Sequence, residues 1–254
     1  MSRSALVLVA SVLIAACGSA STTTTTVTVL DGSAPSPAPA TVTVTAPAAS
    51  LTGGTVTSPA PAGSSDTVTV VDAGYSQKDK ELGIGVLLRN NSAQDAKSVR
   101  VSVNIVDADD DVLKTETGSL NLIPAGETVA VGIDTFLDAP AKPKTLEVIV
   151  TTDSYGGSGT ELPALRRVQV KSDELLGSTV TGEIRNTTSH TVSSIQQISV
   201  ALIGSDGRVI GGGYTFPGID IPPGSRAAFS ASNGVSVTPR ARIRKAIVTI
   251  DGGF

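Results

Sequence analysis

The chain repeats itself at an offset of about 97 residues, and this internal repeat constrains its fold more than any other feature. Three pairs of segments align: 103–113 with 200–210, 88–92 with 184–188, and 123–126 with 221–224. Self-similarity across a whole unit indicates two copies of one structure. Residues 67–254 have room for two units of about 90 residues, each the size of a small β-sandwich.

The apolar residues of these units follow a period of two. Apolar and polar side chains alternate over 99–105 and again over 145–150, which is the pattern of half-buried strands. Helical spacing is limited to a weak signal around 172–176. We therefore predict an all-β chain with two tandem, small antiparallel β-sandwich domains of immunoglobulin-like type, one at 67–155 and one at 156–254.

The turns of the two units have related sequences. An Asp-Gly pair at 206–207 stands between apolar runs and predicts a hairpin, because glycine accepts positive φ and aspartate caps its own backbone. In the first unit an Asp-Asp pair at 109–110 takes this place without a glycine, so we expect a longer turn there. The Pro and Gly residues at 124–126 and 223–224 predict tight turns before an edge strand.

The N-terminus has the features of an export signal. Arg3 precedes an apolar stretch from Ala5 to Ile14, and small residues follow. That stretch is too short to span a bilayer, which takes about 20 residues. The Ile-Ala-Ala-Cys run ending at Cys17 resembles a bacterial lipobox, in which the cysteine is lipidated and becomes the mature N-terminus. We predict a lipoprotein signal peptide at 1–16 and membrane anchoring through lipidated Cys17; the alternative is an ordinary cleaved signal with an incidental cysteine.

Residues 17–66 have the composition of a disordered tether. They are rich in Thr, Pro and Ala and have too little apolar bulk to offset the entropy of folding. Val-Thr-Val pieces at 27–29 and 42–44 could pair as strands, but Pro and Ala crowd them, so we interpret both as linker. A glycosylated stalk is a second interpretation, compatible with the first.

Both units resemble the FxLYD domain of bacterial surface lipoproteins. The resemblance rests on a strand ending in Asn, an apolar strand that leads into the Asp turn, and a later Pro-Gly turn. The naming motif falls on four positions in each copy: Val103, Ile105, Val106 and Asp107, then Val200, Leu202, Ile203 and Gly204. Neither copy has the aromatic residues of the motif, and the second lacks its Asp. The resemblance implies a shared sandwich fold, and such domains have no general known activity.

Charge is divided unevenly between the units. Residues 67–155 hold eight Lys and Arg against fourteen Asp and Glu, and residues 156–254 hold ten against seven. The net charges are therefore −6 and +3. An acidic unit beside a basic one predicts either mutual docking or two different partners; the alternative is scatter in small numbers.

A basic stripe near the C-terminus is the main candidate site. Arg240, Arg242 and Arg244 occupy alternate positions of the predicted last strand, with Lys245 beside them. On one face they would bind an anionic polymer or lipid headgroups; the alternative is a solvated face.

Other candidates favour plain structural roles. The carboxylates at 107 and 109–111 are oxygen ligands of the kind Ca²⁺ prefers, but they lack the spacing of a calcium-binding loop, and we interpret them as an acidic turn. His190 lies in a Ser/Thr-rich turn with no Gly-x-Ser-x-Gly elbow around a serine, so we interpret it as a loop histidine. Seven aromatic residues, including Tyr214, Phe216 and Phe229, are too few and too dispersed for a sugar-stacking platform.

Composition narrows the function further. One Cys and one His exclude zinc sites built from those residues and a disulfide scaffold. We expect no cofactor, no metal, no catalysis and no nucleic acid partner. The expected function is that of a lipoprotein on the outer face of a cytoplasmic membrane, in an actinobacterium by composition, whose two sandwich modules bind an envelope protein or polymer. A purely structural spacer and a hydrolase with an unrecognised site are the alternatives.

Overall fold

The computed structural model describes residues 68–158, 160–173 and 177–252, together with the backbone of two short strands within 40–56. These residues are all-β, as predicted: they form fourteen strands and one 3-10 turn, Arg240–Arg242. The part of the chain described contains no α-helix.

The first repeat is a sandwich of two antiparallel sheets with strand orders β2-β3-β4-β7 and β1-β8-β5-β6. Its strands are β1 (Ala40–Thr45), β2 (Thr55–Val56), β3 (Val68–Lys78), β4 (Glu81–Asn90), β5 (Ala96–Val106), β6 (Val112–Ile123), β7 (Thr128–Phe136) and β8 (Thr145–Tyr155). The core between the sheets is aliphatic and includes Leu82, Ile84, Val101 and Val148, each fully buried.

The second repeat has the same topology as strands β3 to β8 of the first. Its sheets have the orders β13-β10-β9 and β12-β11-β14. Its strands are β9 (Ala164–Asp173), β10 (Gly177–Arg185), β11 (Ile198–Ile203), β12 (Val209–Thr215), β13 (Arg226–Ala231) and β14 (Lys245–Ile250). The prediction of two tandem β-sandwiches from the internal repeat is therefore confirmed.

Equivalent asparagines hold equivalent turns in the two repeats. The Nδ2 atom of Asn90 donates to the carbonyl of Ile123 at 3.0 Å, and the Nδ2 atom of Asn186 donates to the carbonyl of Ile221 at 2.7 Å. Both asparagines are fully buried, and each also accepts a backbone hydrogen bond from the residue two positions later. A buried amide with several partners stabilises its turn, because losing it would leave those groups unpaired.

The glycine turns before the edge strands agree with prediction, whereas the length of the acidic turn does not. Gly126 and Gly224 adopt φ angles of +72° and +78° in four-residue turns that precede β7 and β13, both of them at sheet edges. The expectation of a longer turn at 109–110 is wrong: both repeats place five residues between the strands. Asp110 adopts φ +66°, which Gly207 adopts at +85° in the second repeat, so an aspartate occupies the left-handed position.

Two short strands lie within the range predicted to be linker. Strand β1 pairs antiparallel with β8, with Ala40 opposite Val150, and β2 pairs with β3. The Val-Thr-Val piece at 42–44 is thus paired in a sheet, contrary to its interpretation as linker. The piece at 27–29, Cys17 and the rest of the predicted leader and tether lie outside the described residues.

The two repeats dock face to face within one compact unit, 39–254. The outer face of the β3-β4-β7 sheet packs on the outer face of the β12-β11-β14 sheet, so four sheets are stacked in succession. A small apolar cluster lies between them and comprises Leu87, Ala130, Ala201, Ile203 and Val209. Mutual docking, one of the two outcomes predicted from the charge division, is observed, and the other, two different partners, stays a prediction.

Glycines allow the two backbones to touch at this interface. Gly83, Gly85 and Gly132 on the first repeat face a Gly-Gly-Gly run on β12. A Cβ atom on Gly132 would overlap the carbonyl oxygen of Gly213, and one on Gly212 would lie 2.6 Å from the Cα of Gly85. Because real Cβ atoms do not approach so closely, this packing requires glycine.

Polar contacts fix the register of the docked sheets. The Asp72 carboxylate accepts hydrogen bonds from the backbone N–H of Val209 at 2.8 Å and from the Nε of Arg208 at 3.3 Å. The N–H of Ala130 donates to the hydroxyl of Thr249 at 2.8 Å. Burial raises the pKa of Asp72 above its ordinary value despite these bonds. Asp72–Arg208 is the single ion pair across the interface among the described residues, so most of the charge on each repeat stays outside it.

A second carboxyl lies at the edge of this interface. Asp134 is on β7, opposite Gly83, and its Oδ1 atom is buried with no hydrogen-bond partner among the described residues. Burial, and then the charge of Glu81, raise the pKa of Asp134 to about 6.

Candidate functional site

A cleft lined by arginines lies on the outer face of the β13-β10-β9 sheet, at the end of the stack away from the docking interface. Its volume is about 390 Å³. It is lined by four arginines and one carboxylate: Arg166, Arg167, Arg185, Arg226 and Glu183. Each arginine comes from an exposed position of its strand, so the guanidinium groups are accessible from solvent.

The pairing of three strands brings these side chains together. Arg185 on β10 is directly opposite Arg226 on β13, and Glu183 on β10 is opposite Arg166 on β9. A bulge then interrupts the pairing of β9 with β10 between Thr181 and Glu183. The extra residue lies on β9, where Arg167 adopts φ +54°, and both Arg166 and Arg167 are exposed.

Positive charge in the cleft exceeds its internal compensation. Glu183 forms ion pairs with Arg167 and Arg226, each at 3.8 Å, while Arg166 and Arg185 have no ion pair with any described residue. Like charges directly opposite each other on paired strands destabilise a sheet. The cleft therefore concentrates a net positive charge that the fold itself does not neutralise, which is the electrostatic requirement for binding an anion.

The predicted basic stripe at the C-terminus is not on a strand. The last strand begins at Lys245, and Arg240–Arg242 form a 3-10 turn after Pro239. The guanidinium of Arg240 donates to the carbonyls of Val170 at 3.1 Å and Ile243 at 2.9 Å, so it ties this turn to β9.

The strand assignment of that stripe is wrong because the backbone N–H groups of Arg242 and Ile243 close the turn on Pro239 and Arg240. Alternate positions then no longer share a face. Arg244 and Lys245 are exposed, and an anion-binding role for the stripe stays a prediction.

The acidic turn has an internal structural role. The Oδ1 atom of Asp107 accepts the backbone N–H groups of Asp109 at 2.9 Å and Asp111 at 3.0 Å. Asp109, Asp110 and Asp111 are exposed. The described residues include no group of three or more His, Cys, Asp or Glu side chains that could hold a metal ion.

His190 lines a second, wider cleft of about 830 Å³ between the repeats. The cleft is lined by polar groups of both repeats and their connection, among them Lys97, Asn121, Thr160, Glu161 and Ser189. Its walls are held by buried carboxylates, which accept hydrogen bonds from the lining residues. The backbone carbonyl of His190 accepts a hydrogen bond from the Nδ2 of Asn186 at 2.7 Å, and the interpretation of His190 as a loop histidine stays a prediction.

Two buried carboxylates hold the walls of that wider cleft. Asp251 accepts both the backbone N–H and the Nδ2 of Asn121 at 2.7 Å, and burial raises its pKa. Asp95 accepts the N–H and the hydroxyl of Thr160. Burial alone would raise the pKa of Asp95, but the hydrogen bonds from Thr160 and Ala125 outweigh this effect, and the net pKa lies below the ordinary value.

None of the described aromatic residues lines either cleft. Phe229 is 5% exposed and belongs to the second core. Tyr214 and Phe216 form an edge-to-face pair with ring centroids 5.6 Å apart.

No helix among the described residues has the length and apolar character needed to cross a bilayer.

Comparison with known proteins assigns no family to this chain. No family model matches the chain, and no curated protein matches it. Among solved structures, the chain is similar to the crystal structure of red sea bream transglutaminase, with 11% sequence identity and a TM-score of 0.25. The match covers 72% of this chain and 29% of the transglutaminase chain, so this chain spans less than a third of that protein's length. A likeness this distant carries no argument about activity, and the FxLYD resemblance stays a prediction.

Proposed function

We propose that this chain is a lipid-anchored envelope protein whose docked pair of β-sandwiches binds an anionic envelope protein or polymer without catalysing a reaction. The anchor is Cys17, and the location is the outer face of a cytoplasmic membrane. The N-terminal sequence supports the anchor, because a short apolar stretch ends at the chain's only cysteine.

The arginine cleft is the observation that carries the binding function. Four guanidinium groups surround one carboxylate on a solvent-facing sheet. Arginine presents a planar fork of donors that matches carboxylate and phosphate oxygens. The cleft is built from paired strands, and a site on strands is held more rigidly than one on loops.

A structural spacer is the second candidate function, and the docking interface favours it. Backbone contact at Gly132 and Gly213, together with the Asp72–Arg208 pair, makes the repeats one compact unit. Such a stack would hold other envelope components at a set distance even if it bound nothing itself.

Two altered chains distinguish the binding function from the spacer function: one has its sandwiches replaced, and the other has two arginines substituted. The full-length chain, its Arg185→Gln/Arg226→Gln variant, and a chimera carrying unrelated tandem sandwiches on the same N-terminal segment are compared for capture of envelope components. Binding predicts a partner that the wild type captures and both altered chains lose. A deletion phenotype rescued equally by the chimera would instead establish the spacer.

The anchor is tested independently of binding. Cys17→Ala is expected to move the chain from the membrane fraction to the soluble fraction, because each buried acyl methylene contributes about 0.8 kcal/mol to membrane affinity. Full retention of this variant in the membrane fraction would refute lipidation as the anchor.

A further inference from the structure

We propose that the arginine cleft binds an extended anionic polymer and engages several of its phosphate or carboxylate groups at once. This inference rests on the proposed binding function and names the chemistry of its partner. The carrying observation is the arrangement of Arg166, Arg167, Arg185 and Arg226 across three paired strands around Glu183.

The spread of the arginines exceeds what one anionic group needs. Paired strands are about 4.8 Å apart, so side chains from β9, β10 and β13 cover about 10 Å across the sheet. A single phosphate or carboxylate is satisfied by one or two guanidinium forks. Four forks over this distance therefore correspond to several anionic groups, which a polymer supplies along its length.

The position of Glu183 favours a repeating ligand over a single compact anion. Glu183 lies on the central strand of the sheet, with 22% of its side chain exposed, while Arg167 and Arg226 are 78% and 59% exposed. A compact anion at the centre would meet this carboxylate directly. A polymer can place its anionic groups on either side, over Arg166 and Arg167 on β9 and over Arg185 and Arg226.

The outer face of this sheet is polar, which favours a polymer over a bilayer surface. Its other outward positions are Lys171, which is exposed on β9, and the small or uncharged side chains Gln169, Thr181, Ala228 and Ser230. The large exposed apolar residues of the described chain are not on β9, β10 or β13. Surfaces that bind membranes usually add apolar side chains that insert below the headgroups.

Two features of the arginine cleft are unfavourable to the stability of the sheet. Arg185 and Arg226 are directly opposite, which is an unfavourable cross-strand pair, and Arg167 occupies the left-handed region that non-glycine residues seldom adopt. Unfavourable local features that the surrounding fold maintains are typical of binding sites. Neutralising the pair at Arg185 and Arg226 is accordingly expected to raise the unfolding midpoint while removing the ligand site.

Binding of defined polymers to the full-length chain tests this proposal. The chain carries Cys17→Ala, so that no acyl group contributes, and binding is measured by calorimetry at two salt concentrations. The probes are long-chain inorganic polyphosphate, polygalacturonate, and their monomers orthophosphate and galacturonate. We expect at least one polymer to bind about a hundredfold more tightly than its monomer, because linked groups bind together. The phosphate and carboxylate arms identify which anion the cleft prefers.

Three variants assign the binding to the cleft. Arg185→Gln/Arg226→Gln is expected to weaken polymer binding about tenfold or more and to reduce its salt dependence. Arg244→Gln/Lys245→Gln removes the same charge from the C-terminal stripe and is expected to change binding less than about twofold. Glu183→Gln removes the carboxylate of the cleft and is expected to tighten binding about two- to threefold.

Different results would contradict different parts of the proposal that the arginine cleft binds an anionic polymer. Absence of binding to both polymers overturns the inference, as does a monomer that binds as tightly as its polymer. Greater loss in the Arg244 and Lys245 variant assigns the site to the C-terminal stripe instead. Cleft-dependent binding to phosphatidylglycerol vesicles in place of the polymers assigns the cleft to the membrane. If the polymers fail while an envelope component is still captured through Arg185 and Arg226, the binding function survives and only the polymer is wrong.

Discussion

A single added methyl group should separate the two repeats. Gly132→Ala places a Cβ atom on the carbonyl oxygen of Gly213, 2.5 Å from its carbonyl carbon and 3.0 Å from its nitrogen. All three nearest atoms belong to the backbone of the second repeat. A backbone carbonyl cannot rotate away as a side chain does, so the sheets themselves have to move.

The expected destabilisation follows from that displacement. Ordinary Cβ contacts begin at 3.4 Å, and the carbonyl oxygen is the nearest of the three atoms, so the sheets would separate by more than about 1 Å at this point. A gap of about 0.5–1 Å already forfeits a quarter to a half of the dispersion attraction between facing atoms. Overpacking costs about 1–3 kcal/mol. We expect about 3 kcal/mol for Gly132→Ala, because the hydrogen bond from the N–H of Ala130 to Thr249 is strained as well.

Chemical denaturation followed by circular dichroism measures this effect, since the chain has no tryptophan. Gly156→Ala is the matched control: its Cβ atom would meet only the Nζ of Lys97, at 4.0 Å, and its stability should equal or slightly exceed that of the wild type. Equal denaturation midpoints for the Gly132 variant and the control would refute backbone contact between the repeats.

Three further substitutions test the interface and a turn. Asp72→Ala should cost about 2–3 kcal/mol, because it leaves the buried N–H of Val209 unpaired; thermal unfolding of a double-mutant cycle with Arg208→Gln measures the coupling, and additive effects would exclude an interaction. Asp134→Asn should leave stability unchanged below pH 4 and raise it increasingly up to pH 6, since the unfolded carboxyl ionises near 3.8 and the folded one near 6. The full pKa shift of Asp134 corresponds to a stabilisation of about 3 kcal/mol by Asp134→Asn, which partial exposure reduces to about 1–2 kcal/mol. A difference in urea midpoints that does not vary with pH would contradict this prediction. Asn186→Ala should cost about 2–3 kcal/mol through the unpaired turn groups. Asn186→Asp should cost at least as much in the same urea titration near neutral pH, because a buried carboxylate cannot donate to the carbonyls of His190 and Ile221.

The repeat and its strands were predictable because their signals are local. Alternation over 99–105 reports the two faces of β5, and the shared Asn and Pro-Gly turns report backbone geometry that few residues satisfy. The turn at 107–111 shows the limit of such rules. Glycine is favoured in the left-handed region, yet Asp110 also adopts it, because aspartate tolerates that conformation better than most residues.

The docking interface and the arginine cleft depend on which strands become neighbours. Glycines inside strands, here at 83, 85, 132 and 211–213, are a sequence signal for close backbone approach, but they do not identify the opposite surface. Arg166, Arg185 and Arg226 are separated by as many as sixty residues and meet only through pairing of β9, β10 and β13. The clustered Arg240, Arg242 and Arg244 attract attention in the sequence, yet Pro239 and a 3-10 turn remove them from a common strand face.

The glycine contact also determines how the chain transmits mechanical load. A ligand held in the arginine cleft pulls on the outermost sheet of the second repeat, while any attachment on the N-terminal side pulls on the first repeat. If only the connection at 156–163 joined the repeats, a small force would extend it and let them swing apart. Because two sheets are in backbone contact, the connection bears no load until the Asp72–Arg208 pair and the facing glycine strands separate together. A pulling experiment would then record one abrupt drop in force, when the repeats separate, before either sandwich unfolds.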